Sequence, residues 1–236
     1  MPGFRKILKK WLLDSYDYLG LALASSFLWF SVTIGGLAAI KSGFGSNSLL
    51  LLGSSALFYV LLVAPMTAGV YFMAKKIVIR DEPSLLDMLW GFKDCLASSW
   101  ALGLAQVFVT LLIVVNSWFY LTRGVLVLKL LGILFAYVLL LWGLSAVYHF
   151  PVLVEQRPGA LKVLKRGVLL MLDNIAFTGG VFFVIILLTC FCTITLLGLP
   201  LLYVGMASIL QTRALRALFV KYELLKPERE YAPEAE

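Results

Sequence analysis

The chain has 236 residues, of which 61% are hydrophobic and 14% charged, and its formal net charge is +7. A soluble domain runs at roughly 45–50% apolar and about 25% charged, so a water-soluble fold is excluded and lipid must solvate much of the surface. Nucleic acid is not the expected partner of the excess positive charge, because the cations stand beside hydrophobic segments, where they meet anionic headgroups.

The first element is an amphipathic helix over residues 4–12. Phe4, Ile7, Leu8, Trp11 and Leu12 recur at helical spacing, while Arg5, Lys6, Lys9 and Lys10 take the other faces. Such a helix is expected to lie in the headgroup plane. A first membrane span follows over residues 18–40, long enough at about 1.5 Å per residue to cross a core about 30 Å thick. It is too long for the apolar region of a secretory signal, and no small-residue cleavage site follows it, so it reads as a retained helix. Residues 41–48 form a polar turn, and a second span covers 49–74.

Residues 75–94 connect to the next span. Pro83 and Ser84 open a short helix there, with Leu85, Met88, Leu89 and Phe92 expected on one apolar face, and Ser84 with Asp87 resembling a capping box. The third span, 96–120, ends in an aromatic belt of Trp118, Phe119 and Tyr120. A tight turn at 121–124 leads to the fourth span, 125–150, which Pro151 is expected to end. Lys129 stands about one turn inside it and can snorkel outward.

A second amphipathic connecting helix covers 159–172, with Leu161, Leu164, Val168 and Met171 on one side. Asp173 and Asn174 are expected to cap the fifth span, 175–197. The stretch from Ile175 to Leu210 carries no charge and would reach ~54 Å as one helix, too long for a single crossing. Gly198-Leu199-Pro200 is the predicted break. A sixth helix then covers 199–220, and a polar tail at 227–236 is expected to be disordered.

The expected fold is thus an all-α, polytopic membrane helix bundle: about six transmembrane helices and amphipathic cytoplasmic helices in one domain over residues 1–226. Charge sets its orientation. Seventeen of the 20 Lys and Arg residues lie before the first span, after the second and fourth, or at and beyond the inner end of the sixth; only Lys41, Arg123 and Lys129 lie elsewhere. Basic residues beside membrane helices are retained in the cytoplasm, which predicts six crossings with both termini inside. The two connecting helices also match at an offset of 75 residues, Pro83 with Pro158, Leu86 with Leu161 and Leu89 with Leu164. A parallel duplication accounts for this, as do two amphipathic helices under the same physical demands.

No acidic residue falls in the middle of a span, which argues against proton- or cation-coupled transport through a buried carboxylate. Cys95, Cys190 and Cys192 form no disulfide framework; the last two, two residues apart on a helix, face different sides and read as small apolar filler. His149 stands alone, so it reads as a structural group rather than a metal ligand. Ser98, Ser99 and Ser145 lack a base at a suggestive spacing, and no glycine-rich phosphate loop is present. The chain is therefore expected to have no catalytic group, metal or cofactor. Gln106 and Asn116 are the notable amides within spans, suited to interhelical hydrogen bonds or to lining a polar path.

Two stretches carry a family resemblance. The first is Pro65-Met66-Thr67-Ala68-Gly69, then Lys75-Lys76, Arg80-Asp81-Glu82 and Gly91-Phe92-Lys93. The second is Tyr148-His149-Phe150-Pro151-Val152-Leu153, then Lys162 and Leu164-Lys165-Arg166-Gly167. Together they make residues 15–215 resemble the YesL-like family of bacterial integral membrane proteins. That resemblance implies a bacterial plasma-membrane protein of a family without established activity. Its members are often encoded near carbohydrate-uptake and polysaccharide-degradation genes, and it supplies no functional residues.

Two functions follow as expectations. The first is a non-catalytic accessory or scaffold protein linked to carbohydrate uptake or its regulation, docking on a permease or a sensor kinase through Phe92, Lys93, Lys165 and Arg166. The alternative is a transporter or channel for a small, sugar-like solute. Such a path needs convergent polar groups and aromatic platforms at mid-membrane, whereas the aromatic residues here gather near span ends.

Overall fold

The computed structural model describes residues 4–44, 48–123, 125–195 and 197–225; the tail expected at 227–236 and residues 45–47 of the expected polar turn lie outside them. Eleven α-helices follow one another along these residues: α1 (Phe4–Asp17), α2 (Leu19–Phe44), α3 (Ser48–Phe58), α4 (Ala64–Ile79), α5 (Leu85–Asp94), α6 (Leu96–Leu121), α7 (Leu126–Ala146), α8 (His149–Gln156), α9 (Ala160–Asp173), α10 (Ile175–Ile194) and α11 (Val204–Lys221). Five helical stretches are long and apolar enough to cross a bilayer: Leu19–Gly43, Leu50–Ile79, Leu96–Leu121, Leu126–Gln156 and Ile175–Ile194. The chain is an all-α, multi-pass membrane protein. Its outer helices turn large apolar side chains away from the bundle, among them Phe108, Leu126, Ile133 and Phe183, as lipid-facing surfaces do.

Proline shapes two of these stretches. Pro65 has no N–H for the carbonyl four residues earlier, and the chain takes a π-helical turn at Tyr59–Val63 between α3 and α4. The carbonyl of Leu61, left without that partner, accepts the indole N–H of Trp100 on α6 at 3.0 Å. Pro151 acts differently from expectation. It lies in the first turn of α8, where N–H groups have no intrahelical partner, and the helix continues to Gln156. The break falls four residues earlier, at Val147 and Tyr148, where the bond to the Val147 carbonyl would have been.

The last helix differs most from its neighbours. Val204–Lys221 follows a second π-helical turn, Leu199–Tyr203, and α10 has ended before it at Ile194, as the Gly198-Leu199-Pro200 break predicts. It returns along the full length of α10: Lys221 Nζ donates to Asn174 Oδ1 at 2.6 Å, and the Asn174 amide donates to Tyr222 Oη at 2.8 Å. Asn174 therefore does not cap α10 with its side chain, which is committed to Leu170, Lys221 and Tyr222. Twelve residues of α11 are buried, so α11 is enclosed by protein where the others meet lipid.

Helix α1 also differs. It runs to Asp17, and Ile7, Trp11, Asp14 and Ser15 are buried. The Trp11 indole donates to the Met206 carbonyl on α11 at 2.9 Å, and Phe4 meets Phe177 of α10 edge-on. Of the apolar face expected to lie in the headgroups, Ile7 and Trp11 are thus buried in the bundle and Phe4 and Leu8 half-buried, while Leu12 stays exposed.

The two connecting helices bury one face each. In α5, Asp87, Met88 and Gly91 face inward while Leu85, Leu86, Leu89 and Trp90 are exposed, so the single apolar face expected from Leu85, Met88, Leu89 and Phe92 is split. Gly69 and Gly91 let α4 and α5 touch, since a Cβ on Gly69 would stand 2.3 Å from the Met88 carbonyl oxygen. In α9, Val163, Leu164, Gly167 and Met171 are buried, and Leu161 is exposed rather than paired with Leu164.

The Ser84–Asp87 cap forms with Asp in place of the usual Glu. The Ser84 backbone N–H donates to Asp87 Oδ2 at 2.7 Å, and Lys76 Nζ lies 2.8 Å from Oδ1. Burial alone would raise the Asp87 carboxyl, but the Lys76 hydrogen bond and the Ser84 N–H outweigh it and hold it below its ordinary value of 3.8. A carboxylate depressed on folding contributes stability above its unfolded value, and that stability is lost as pH falls through the folded one. Asp87→Asn should therefore melt below the wild type at pH 7, with the gap closing at pH below about 3.8, as thermal unfolding in detergent at the two pH values would record.

Candidate functional site

Two sets of polar side chains meet in this fold. The first is a chain of hydrogen bonds through the helices. The π-helical turn turns Tyr59 toward α6, where its hydroxyl donates to Gln106 Oε1 at 2.9 Å. The Gln106 amide nitrogen lies 3.0 Å from His149 Nδ1. With Tyr59 fixing the amide, Gln106 donates and Nδ1 accepts, so the imidazole proton is on Nε2 and faces Ser145 Oγ at 3.3 Å. Ser145 in turn donates to the Trp142 carbonyl at 2.8 Å. Each group has a partner of the right kind, and the chain braces α6, α7 and α8. His149 is fully buried, against the Trp142 ring and close to Gly167, whose absent Cβ would stand 2.6 Å from the imidazole.

This arrangement favours the interhelical role for Gln106 and gives it a partner that sequence spacing did not identify. Asn116 behaves otherwise: its amide donates to the Leu112 carbonyl of its own helix at 2.7 Å, and it joins no neighbouring helix among the described residues. His149→Leu is expected to lower stability by about 1–3 kcal/mol by leaving the Gln106 amide N–H without its acceptor and Ser145 Oγ without the imidazole donor. The thermal unfolding of the variant beside Gln106→Leu checks this: the double variant should lose less than the sum of the two, since one interaction joins them.

The second set lies at one end of the bundle. Basic groups as far apart in sequence as Lys75 and Arg216 meet acids there. Arg216 Nη1 lies 2.7 Å from Glu155 Oε1 and Lys75 Nζ 3.3 Å from Oε2. Arg157 pairs with Asp94, and Arg80 lies 3.6 Å from Asp17. Arg213 pairs with Asp14, both buried, at 8% and 1% side-chain exposure. The connections after α4 and α8 and the end of α11 thus share one polar end.

The expected contact residues take different places at this end. Phe92 is half-buried, whereas Lys93, Lys165 and Arg166 are exposed. Arg166 donates to Gln156 and stands at the mouth of a groove of about 270 Å³ whose walls include Leu169, Leu170, Phe219, Tyr222 and Leu224. Lys93 stands at a wider groove of about 610 Å³ between α4 and α5. Lys93 and Arg166 thus serve separate surfaces.

Cys95 and Cys192 are buried and Cys190 exposed, so Cys190 and Cys192 do face opposite ways. Burial pushes the Cys95 thiol up. No three His, Cys, Asp or Glu side chains come together as a metal site among the described residues.

The fold and its polar end define a helical, multi-pass membrane protein with a basic, ion-paired face. Comparison with protein-family models, with curated proteins and with solved structures finds no match.

Proposed function

We propose that this protein is a non-catalytic accessory or scaffold component of the bacterial plasma membrane, and that α9 docks an acidic, partly apolar segment of a membrane partner. The observation that carries this reading is the outer face of α9. Leu161, Leu169 and Leu172 are exposed there together with Lys162, Lys165 and Arg166, and the Arg166 groove adjoins them. Apolar side chains ringed by cations fit a partner that offers both apolar anchors and carboxylates.

On this reading the helix bundle crosses the membrane six times. The return of α11 along α10 supports the sixth crossing, and the basic excess at the shared polar end supports a cytoplasmic location for that end and for both termini. The resemblance to the YesL-like family points to carbohydrate uptake or its regulation, with a permease or a sensor kinase as the partner. Transport of a sugar-like solute is the weaker reading, because Gln106 is engaged by Tyr59 and His149 rather than open to a path.

The test is gentle extraction of the tagged protein from native membranes, followed by identification of what stays bound. Lys165→Glu with Arg166→Glu, both exposed, should leave the melting temperature unchanged and reduce the co-purifying partner by about tenfold or more, since like charges at an interface cost several kcal/mol. A protein that emerges alone and moves labelled oligosaccharide into liposomes would replace this reading with transport.

A further inference from the structure

The groove between α4 and α5 is a separate surface, and its charges point to a ligand. Its lining includes Phe72, Lys76, Asp87, Trp90, Lys93 and Asp94. Lys76 is taken up by Asp87 and Asp94 by Arg157. Lys93 makes no ion pair or hydrogen bond among the described residues, so the groove has one uncommitted positive charge. Beside it, Leu86, Leu89, Trp90 and Lys93 stand three or four residues apart along one stripe of α5, opposite the buried Met88 and Gly91. Leu86 is 63% and Trp90 65% exposed. No other part of the described chain covers this stripe, and α5 connects two helices that are long and apolar enough to cross a bilayer.

We infer that this groove holds the headgroup of one monoanionic phospholipid of the surrounding leaflet, with its phosphodiester on Lys93, the Trp90 indole at the headgroup level and acyl chain along Leu86 and Leu89. The charges match, one phosphodiester against one uncommitted ammonium. The apolar stripe selects a lipid over free phosphate, which would leave Leu86, Leu89 and Trp90 in water. The α9 face differs in having three cations among its leucines, so the two surfaces address different partners.

Native mass spectrometry of the full-length protein in detergent, titrated with phosphatidylglycerol, tests this. One lipid should remain bound at low activation energy. Lys93→Gln should lower the bound fraction about fivefold, Lys93→Arg should restore it, and Lys165→Gln on α9 should leave it unchanged. Equal melting temperatures for the Lys93 variants and the wild type make the comparison one of binding. Unchanged retention in Lys93→Gln overturns the inference, as does equal loss in Lys165→Gln. Equal retention of phosphatidylethanolamine would show that the groove does not select the anion, and displacement by inorganic phosphate would show a phosphate site rather than a lipid site; either result also overturns it.

Discussion

Arg213→Ala is expected to destabilise the folded protein by about 3–5 kcal/mol, because it removes the guanidinium that the buried Asp14 carboxylate pairs with. Asp14 is almost wholly enclosed, and the Arg213 guanidinium reaches it through both Nε and Nη2. Arg80 approaches the same carboxylate only to 3.9 Å from an exposed position, so its contact is the weaker one. Asp14→Ala should cost a similar amount for the converse reason. The double variant Asp14→Leu with Arg213→Met should recover most of the loss, since replacing both members of a buried pair with apolar groups of similar volume is often neutral or better. Thermal unfolding of the three variants in one detergent checks this. If the double variant is as unstable as either single variant, the pair matters through packing rather than charge. Its place explains its weight: Asp14 and Arg213 join the first and last helices, and the Trp11 bond to Met206 lies on the same interface.

Gly205→Ala should be the second most damaging change. A Cβ at this position would stand 2.5 Å from the Ala22 carbonyl oxygen and 2.7 Å from the Ala22 Cα. Both are backbone atoms, so no side chain can rotate away and α2 must move off α11. The Gly205 N–H also donates to Ser26 Oγ at 2.8 Å, a bond that the same displacement stretches. The expected loss is about 3 kcal/mol, the upper part of the range for overpacking. Gly143→Ala is the control, because nothing lies within 4 Å of its Cβ position. Melting temperatures of the two variants give the answer directly: a clear drop for the first and little change for the second.

Much of this architecture was legible in the sequence, for identifiable reasons. Long apolar runs at a fixed rise per residue announce spans, and the alternation of basic residues groups their ends. The sequence marks α11 as a helix but hides its central place: it is enclosed by protein, so Arg213, Arg216 and small residues replace the apolar surface that marks its neighbours. Asp14 was readable in part. It continues the Ile7–Trp11 stripe at i+7, which puts a carboxylate on the face that must be buried. What the sequence could not supply was the partner 199 residues away.

The site was less legible than the spans. Gln106 and Asn116 are both amides within α6, and only the tertiary arrangement brings Tyr59 and His149 to the first and, among the described residues, leaves the second bonded to its own helix. Sequence periodicity also failed to divide the α5 residues. Leu85, Met88, Leu89 and Phe92 are all apolar, and a helix between protein and lipid has two apolar environments, so Met88 turns inward and Leu89 outward.

On the proposed reading, the basic residues before the first span, after the second and fourth, and at and beyond the inner end of the sixth share one cytoplasmic end. Single cysteines introduced into a cysteine-free background, labelled by an impermeant maleimide in right-side-out and inverted membrane vesicles, test it most directly. Lys93→Cys, Lys165→Cys and Lys221→Cys should label only in inverted vesicles, and Lys41→Cys and Arg123→Cys only in right-side-out ones. Labelling of Lys221→Cys in right-side-out vesicles would contradict the sixth crossing and separate the last helix from the polar end.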